Sequence, residues 1–130
     1  MTVVNLGSDN PWEGVVGYSR IVVRGDTAWV SGTTAIVDGV VAHPGDAAAQ
    51  TRQALATIES ALERAGFTLA DVVRTRMYVT DIGRWEAVGR AHGAAFGDIR
   101  PASTMVEVSR LIDPGMLVEI EADAVRDPAA

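Results

Sequence analysis

The chain has 130 residues, of which 48% are hydrophobic and 22% charged, a composition typical of a globular domain rather than a disordered chain. No apolar run approaches the ~20 residues of a membrane span. The first residues also lack the basic and apolar regions of a secretion signal. We therefore expect a single cytoplasmic domain over residues 1–130, with no membrane partner.

The charge balance and the missing residue types exclude several kinds of chemistry. The net charge is −6, which disfavours a broad surface for nucleic acid. All 11 basic residues are arginine, so lysine Schiff bases and phosphate-loop lysines are excluded. The chain has no cysteine and therefore no disulfide, thiolate nucleophile or zinc–cysteine site.

A loop and a β-hairpin are the first elements predicted in chain order. Proline and glycine at 10–14 predict the loop. Two runs rich in β-branched residues follow, at 19–24 and 28–35, and a Gly-Asp pair between them is typical of a hairpin turn. A second turn is predicted at 37–40.

Two helices are predicted next, with a strand between them. Asp46 is the predicted N-cap of the first helix, apolar residues recur at helical spacing over 55–65, and Gly66 ends it. A strand at 72–80 and a second helix over 84–96 follow. The predicted apolar stripe of the second helix consists of Trp85, Val88, His92 and Phe96.

Two more strands complete the prediction, at 102–109 and 117–125, with a turn around Asp113 between them. The order β-β-α-β-α-β-β predicts an α+β fold in which both helices cover one face of a single sheet.

Alternation along the last three strands predicts which side chains face the helices. The predicted helix-facing residues are Val73, Thr75, Met77, Val79, Thr104, Val106, Val108, Val118, Ile120, Ala122 and Ala124. The residues predicted on the opposite face are Arg74, Arg76, Tyr78, Ser103, Met105, Glu107, Ser109, Glu119, Glu121 and Asp123. A face that mixes both charges is either solvated or a polar interface between subunits, and the pattern alone favours a solvated face.

Several segments taken together carry a family resemblance over nearly the whole chain. They are Gly17 to Ser19, Val30 to Gly32, Asp46 to Gln53, Ala65 to Gly66, Asp71 to Asp81, Arg100 to Val108, Leu111, and Val118 to Ala122. In their order and spacing these segments resemble the RidA family (reactive intermediate deaminase A, also called YjgF-type). The resemblance implies a chorismate-mutase-like α+β fold and a homotrimer with a central β-barrel and three clefts between subunits. It therefore favours a subunit interface for the mixed-charge face.

The resemblance also implies an activity. Members of the type subgroup hydrolyse enamines and imines, such as 2-aminoacrylate, without a metal or an organic cofactor. An imine carbon is already electrophilic, so the protein must only orient the substrate, hold a water molecule and move protons. We accordingly expect a small-molecule partner and no cofactor.

Three residues match positions that build the family's cleft. Glu119 matches the acid that positions the water, and Tyr18 and Ser31 match positions that orient the substrate. The pattern of the residues alone favours another role for Glu119, an ion pair with Arg74 or Arg76 across a subunit boundary.

The chain departs from the family where the substrate carboxylate is anchored. The anchoring arginine directly after Pro-Ala is Ser103 here, and the cysteine two residues further on is Met105. Ser103 either binds a neutral substrate or only enlarges the pocket. Arg100, three residues earlier, either reaches the cleft in place of the lost anchor or is a solvated loop residue. Since arginine binds a carboxylate as a two-point fork, its loss predicts poor activity on 2-aminoacrylate.

The sequence and its resemblance therefore predict a deaminase that acts on an enamine or imine other than 2-aminoacrylate. One alternative is a trimeric binding module without catalysis, which the lost arginine favours. Another is an endoribonuclease or translation inhibitor, which the acidic charge disfavours.

His43 is predicted in a turn and His92 in the core, and their spacing indicates neither a catalytic triad with Ser31 nor a metal site. The three tryptophans are expected as packing residues rather than as a ligand cage, and Trp12 is the single candidate among them for lining the cleft.

Overall fold

Six strands in one sheet and two long helices form the computed structural model, which describes residues 1–128. Positions 129 and 130 of the predicted domain lie outside the described residues. The elements in chain order are β1 (Val3–Leu6), α1 (Trp12–Val16), β2 (Ile21–Arg24), β3 (Thr27–Thr33), β4 (Ile36–Val37), β5 (Val40–Val41), α2 (Ala47–Arg64), β6 (Val72–Val79), α3 (Trp85–Phe96), β7 (Ala102–Glu107) and β8 (Val118–Val125). Short 3-10 helices at Leu69–Asp71 and Ile82–Arg84 precede β6 and α3.

The main sheet has the strand order β1-β2-β3-β8-β6-β7. The β6–β7 pair is parallel, and the other neighbouring strands are antiparallel. Helix α2 packs on β3, β8 and α3, so both long helices cover one face, as the sequence predicts. A second, two-stranded sheet of β4 and β5 was not predicted as a separate sheet. In the described part of the chain no helix is long and apolar enough to cross a membrane.

The local signals for turns and caps are confirmed. The β4–β5 turn has positive φ at Asp38 (52°) and Gly39 (80°), the backbone geometry that suits a two-residue hairpin. The Asp46 carboxylate accepts the backbone N–H of Ala49 and caps α2. After this helix Gly66 adopts a φ of 86°, which L side chains rarely adopt.

The N-terminal region contains two elements that were not predicted. Strand β1 pairs with β2, and the predicted loop at 10–14 ends in helix α1. Both elements are short, so tertiary contacts decide whether they form. Glu13 of α1 is 9% exposed and lies 3.9 Å from the Arg20 guanidinium, a contact between separate segments.

Outside β7, two residues assigned to the helix-facing side are exposed instead. Val73 is 47% exposed, because a register shift in β6 sets two residues, Val73 and Arg74, against one on β8 and turns Val73 outward. Trp85 is 59% exposed, since it lies in the first turn of α3 with its ring against Gly89 on the outer surface. The rest of the predicted stripe, from Val88 to Phe96, is buried.

The two faces of β7 are the reverse of the prediction. In the parallel pairing Ser103 lies beside Thr75, and Met105 lies beside Met77. Since Thr75 and Met77 face the helices, Ser103 and Met105 do so too, and Val106 on the other face is 43% exposed. This strand has no strong polar–apolar alternation, so its pairing with β6, and not its own pattern, sets its orientation.

Gln50 fastens α2 to the loop before β8. The side chain is fully buried, donates to the carbonyls of His43 and Gly115, and accepts the N–H of Leu117 at 2.9 Å. We expect Gln50→Leu to lower the free energy of unfolding by at least about 2 kcal/mol, because buried backbone groups lose their partners. Denaturant unfolding measures the change. The control is Gln53→Leu, a half-buried glutamine on the same helix, and an equal loss in both variants would contradict this role.

Candidate functional site

A β-bulge in β3 forms the centre of the candidate site. Val30 pairs with Ala122 and Thr33 with Ile120, so β3 has one more residue than β8 between these pairs. The bulge brings the backbone of Gly32 against the side chain of Glu119, where a Cβ at position 32 would lie 2.9 Å from the carboxyl carbon. Bulges often redirect side chains beside active sites, and here glycine is what permits the carboxyl group to lie at this position.

The Glu119 carboxyl is half-buried on the face of the sheet that points away from α2 and α3. Burial raises its pKa, the negative charge of Glu121 raises it further, and the positive charge of Arg20 lowers it by less. A carboxylate with a raised pKa is a stronger proton acceptor than an exposed one.

Arg76, on the same mixed-charge face, pairs with the other two carboxylates of β8. Arg76 lies 3.5 Å from Glu121 and 3.3 Å from Asp123. Tyr78 donates its hydroxyl proton to Glu121, and this bond raises the pKa of Tyr78. Within residues 1–128 no ion pair joins Glu119 to an arginine of β6 of the same chain, and the predicted pair across a subunit boundary stays a prediction.

Arg20 holds the bulge in place. Its guanidinium is 5% exposed, and one nitrogen donates to the carbonyl of Gly32 at 2.9 Å and to the hydroxyl of Thr33 at 2.6 Å. The same nitrogen lies 3.3 Å from the carbonyl of Ser31. Sequence reasoning missed Arg20 and its partner Glu13. Glu13 lies in the short helix α1 and Arg20 directly precedes β2, and no regular spacing in the sequence relates the two residues.

Tyr18 and Ser31 lie beside this arginine. The Tyr18 ring centre is 5.8 Å from the Arg20 guanidinium carbon. The Ser31 hydroxyl donates to the carbonyl of Ser19 at 2.6 Å, so its proton is engaged and its lone pairs remain free to accept. His43 lies in an exposed turn with a φ of 53°, and the Ser31 hydroxyl donates to the Ser19 carbonyl and not to this histidine.

A second group of polar side chains lies on the helix-facing side, at the β7 edge. The Thr75 hydroxyl is within 2.8 Å of both His92 Nε2 and Ser103 Oγ. The His92 ring is 9% exposed and packs on Phe96 with 4.6 Å between ring centres. Burial lowers the pKa of His92, so the ring is neutral at neutral pH. The prediction of a core histidine with a satisfied hydrogen bond is confirmed.

Two of the remaining candidate residues, Arg100 and Met105, belong to the β7 edge. Arg100 lies two residues before β7, with a positive φ of 56° and an exposed side chain. Met105 is half-buried and packs against the core. Trp12, expected at the cleft, is half-buried at the start of α1.

The group around Glu119 and the group around Ser103 lie on opposite faces of the sheet. Strand β6 separates β8, which carries Glu119, from β7, which carries Ser103. Glu119 and Ser103 therefore do not line one cleft within a single chain. A depression of about 320 Å³ between α2 and the N-terminal segment reaches Ser8, Arg20 and Arg64, but neither Glu119 nor Ser103 lines it.

Comparison with known proteins assigns the chain to a family. Residues 9–126 match the family model described as Endoribonuclease L-PSP. A RutC family protein of Pyrococcus horikoshii is 35% identical over 112 residues, which cover 85% of this chain and 87% of that protein. A solved structure from Mycobacterium tuberculosis, a member of the YjgF/YER057c/UK114 family, is 55% identical with a TM-score of 0.88, covering 96% of this chain and all (100%) of that chain.

The YjgF protein of E. coli is similar in the same way. Its solved structure is 31% identical with a TM-score of 0.79, and the match covers 95% of this chain and 94% of that chain. The family resemblance read from the sequence is thus confirmed over almost the whole chain, and the chain belongs to the RidA/YjgF family, whose family model is described as Endoribonuclease L-PSP.

Proposed function

We propose that this protein is a cofactor-free hydrolytic deaminase of an enamine or imine other than 2-aminoacrylate. The observation that carries the proposal is the half-buried Glu119 carboxyl, which has a raised pKa and lies against the glycine of the bulge. In the proposed reaction a water oxygen bonds to the imine carbon, and the imine nitrogen gains protons. The carbon–nitrogen bond then breaks, which leaves a carbonyl product and ammonia.

Glu119 is the catalytic residue in this proposal. As a carboxylate it accepts a proton from the attacking water and can return that proton to the nitrogen that leaves. Its raised pKa supports both roles, because proton transfer is efficient when the pKa lies closer to the working pH. Tyr18 and Ser31, which adjoin the same arginine, orient the substrate.

The active site requires a second copy of the chain. Glu119 and Ser103 lie on opposite faces of the sheet, so a cleft with both needs Ser103 from one subunit and Glu119 from a neighbour. Three large apolar side chains are exposed on the face away from the helices: Trp29, Val106 and Val125. Such exposure is expected for a surface that other subunits cover. These observations call for a neighbouring copy, and we propose the assembly that the family resemblance implies, a homotrimer with the sheets around a central barrel.

Ser103, Arg100 and Met105 determine selectivity in this proposal. A serine hydroxyl makes single hydrogen bonds and cannot neutralise a carboxylate, whereas an arginine fork does both. Arg100 lies two residues before β7 with an exposed side chain, and in this proposal it makes a supplementary contact and does not replace the two-point anchor. We infer that the preferred substrate carries an uncharged polar group where 2-aminoacrylate carries its carboxylate.

The family description as an endoribonuclease names a second candidate activity. A net charge of −6 opposes the phosphate backbone of RNA, so we rank this activity below deamination. A nuclease-free preparation assayed on single-stranded RNA tests it directly. Tight binding of a metabolite without turnover would favour a binding module over both enzymes.

The first prediction concerns the proposed base. We expect Glu119→Gln to lower the rate of ammonia release from an uncharged imine by about 10² to 10⁴, the range for loss of one acid–base group. A flavin amine oxidase supplies this imine from 3-methylbutylamine, and spontaneous hydrolysis is subtracted. Glu107→Gln is the control, since that exposed carboxylate only accepts the N–H of Ile82. Equal rates in the Glu119→Gln variant and the wild type would refute the assigned role.

A second prediction follows from the close approach at the bulge. Gly32→Ala would bring a methyl group to 2.9 Å from the Glu119 carboxyl carbon, so the carboxyl group must move. We expect about a 10²-fold loss of kcat with little change in thermal stability, because misplaced catalytic groups cost rate rather than folding. Gly93→Ala is the matched control, since a Cβ there meets no atom within 4 Å. Unchanged turnover in Gly32→Ala would show that the position of Glu119 is not critical.

A third prediction concerns the lost anchor. We expect Ser103→Arg to raise turnover of the imino acid made from leucine by an amino-acid oxidase, by about tenfold or more, which corresponds to about 1.4 kcal/mol. Ser103 is exposed at the sheet edge, so the longer side chain has room. Ser109→Arg adds the same charge at another exposed serine and controls for net charge. A gain in both variants would indicate attraction by charge and not an anchor.

A further inference from the structure

The Thr75 hydroxyl connects a buried histidine to the open edge of the sheet. Its oxygen lies 2.8 Å from His92 Nε2 and 2.8 Å from Ser103 Oγ. Thr75 and His92 are buried, and Ser103 is exposed. The three side chains thus form a single line of hydrogen bonds from the core to the surface.

A hydroxyl has one proton, so Thr75 donates to one neighbour and accepts from the other. In one arrangement His92 Nε2–H donates to Thr75 and Thr75 donates to Ser103, which leaves the Ser103 proton free for a ligand. In the other arrangement Ser103 donates to Thr75 and Thr75 donates to an unprotonated Nε2, which leaves Ser103 with lone pairs only. A neutral ring permits both arrangements, and burial lowers the pKa of His92 and so favours that neutral ring.

We propose that His92 and Thr75 are positioning residues, which hold the Ser103 hydroxyl as the contact for an uncharged carboxamide or similar polar group of the substrate. The inference rests on the proposed function for the reaction, but the hydrogen-bond line exists without it. A carboxamide offers both a carbonyl acceptor and an N–H donor, which matches a hydroxyl that can be set in either direction.

A carboxylate does not suit this contact. It is an acceptor only, so it uses one of the two arrangements, and one neutral hydroxyl does not offset the loss of water around its charge. His92 is the one member of the line that can carry a positive charge, and burial lowers its pKa, so the line supplies no cation to Ser103. The line of side chains therefore selects against the charged group and for its uncharged isostere.

The test uses pyruvamide and pyruvate, two keto compounds that differ in a carboxamide and a carboxylate. The full chain is labelled with ¹⁵N, and the ring nitrogens of its 2 histidines are followed by NMR during titration. His43 lies in an exposed turn and is the internal control. We expect pyruvamide to shift the ring nitrogens of His92 but not those of His43, and to bind at least about tenfold more tightly than pyruvate.

Variants separate a positioning role from a structural one. Ser103→Ala and Thr75→Val should abolish the His92 response and the preference for pyruvamide, whereas Thr75→Ser should retain both because it keeps the hydroxyl. Thr51→Val removes another buried threonine hydroxyl, which bonds to Ala47, and should leave both unchanged. Thermal unfolding of each variant identifies any that do not fold. If Thr75→Val is one of them, Ser103→Ala decides the result, since a wild-type His92 response in that variant would contradict the inference.

Three outcomes would overturn the inference: no His92 response to either compound, tighter binding of pyruvate, or a wild-type response in Thr75→Val. The turnover of the imine from 3-methylbutylamine is measured on the same preparations. A His92 response without ammonia release refutes the deaminase and keeps the positioning role. Ammonia release that Glu119→Gln abolishes, observed without a His92 response, supports the deaminase and refutes the positioning role.

Discussion

The buried guanidinium of Arg20 supports much of the candidate site. A charge that is only 5% exposed requires fixed polar partners, and it finds them in successive polar groups of the β3 bulge and in Glu13 of α1. One side chain therefore fixes the N-terminal segment and the bulge relative to each other. The bulge in turn determines where the Glu119 carboxyl lies, so the geometry of the site depends on this one arginine.

The carboxylates of β8 show how environment separates chemically identical groups. Glu121 and Glu119 are two residues apart on the same face of the same strand. Glu121 has Arg76 and Tyr78 as partners, whereas Glu119 faces the glycine backbone and the charge of its neighbour. The pKa of Glu119 is consequently raised, mainly by burial. This difference, and not the carboxyl group itself, marks Glu119 as the candidate base.

Strong local signals predicted most of the elements. The Asp-Gly turn between β4 and β5, the cap at Asp46 and the spacing of apolar residues in α2 are properties of short segments, and each is confirmed. Elements without such signals were missed. Strand β1 and helix α1 are four and five residues long and depend on contacts with distant segments. The reversed faces of β7 have the same cause, because its pairing with β6 sets its orientation.

The sequence named several candidate residues of the site, including Glu119 and Ser103, but it did not indicate Arg20 or how the residues are grouped. The sequence by itself determined the family, the α+β class and the presence of Ser103 after Pro-Ala, since these are carried by residue types at fixed spacing. Only the tertiary structure decided that Ser103 is joined to His92 through Thr75 and that Glu119 lies on the opposite face. Register shifts and bulges between strands determine these positions, and they depend on the pairing of distant segments, which a single linear pattern does not specify.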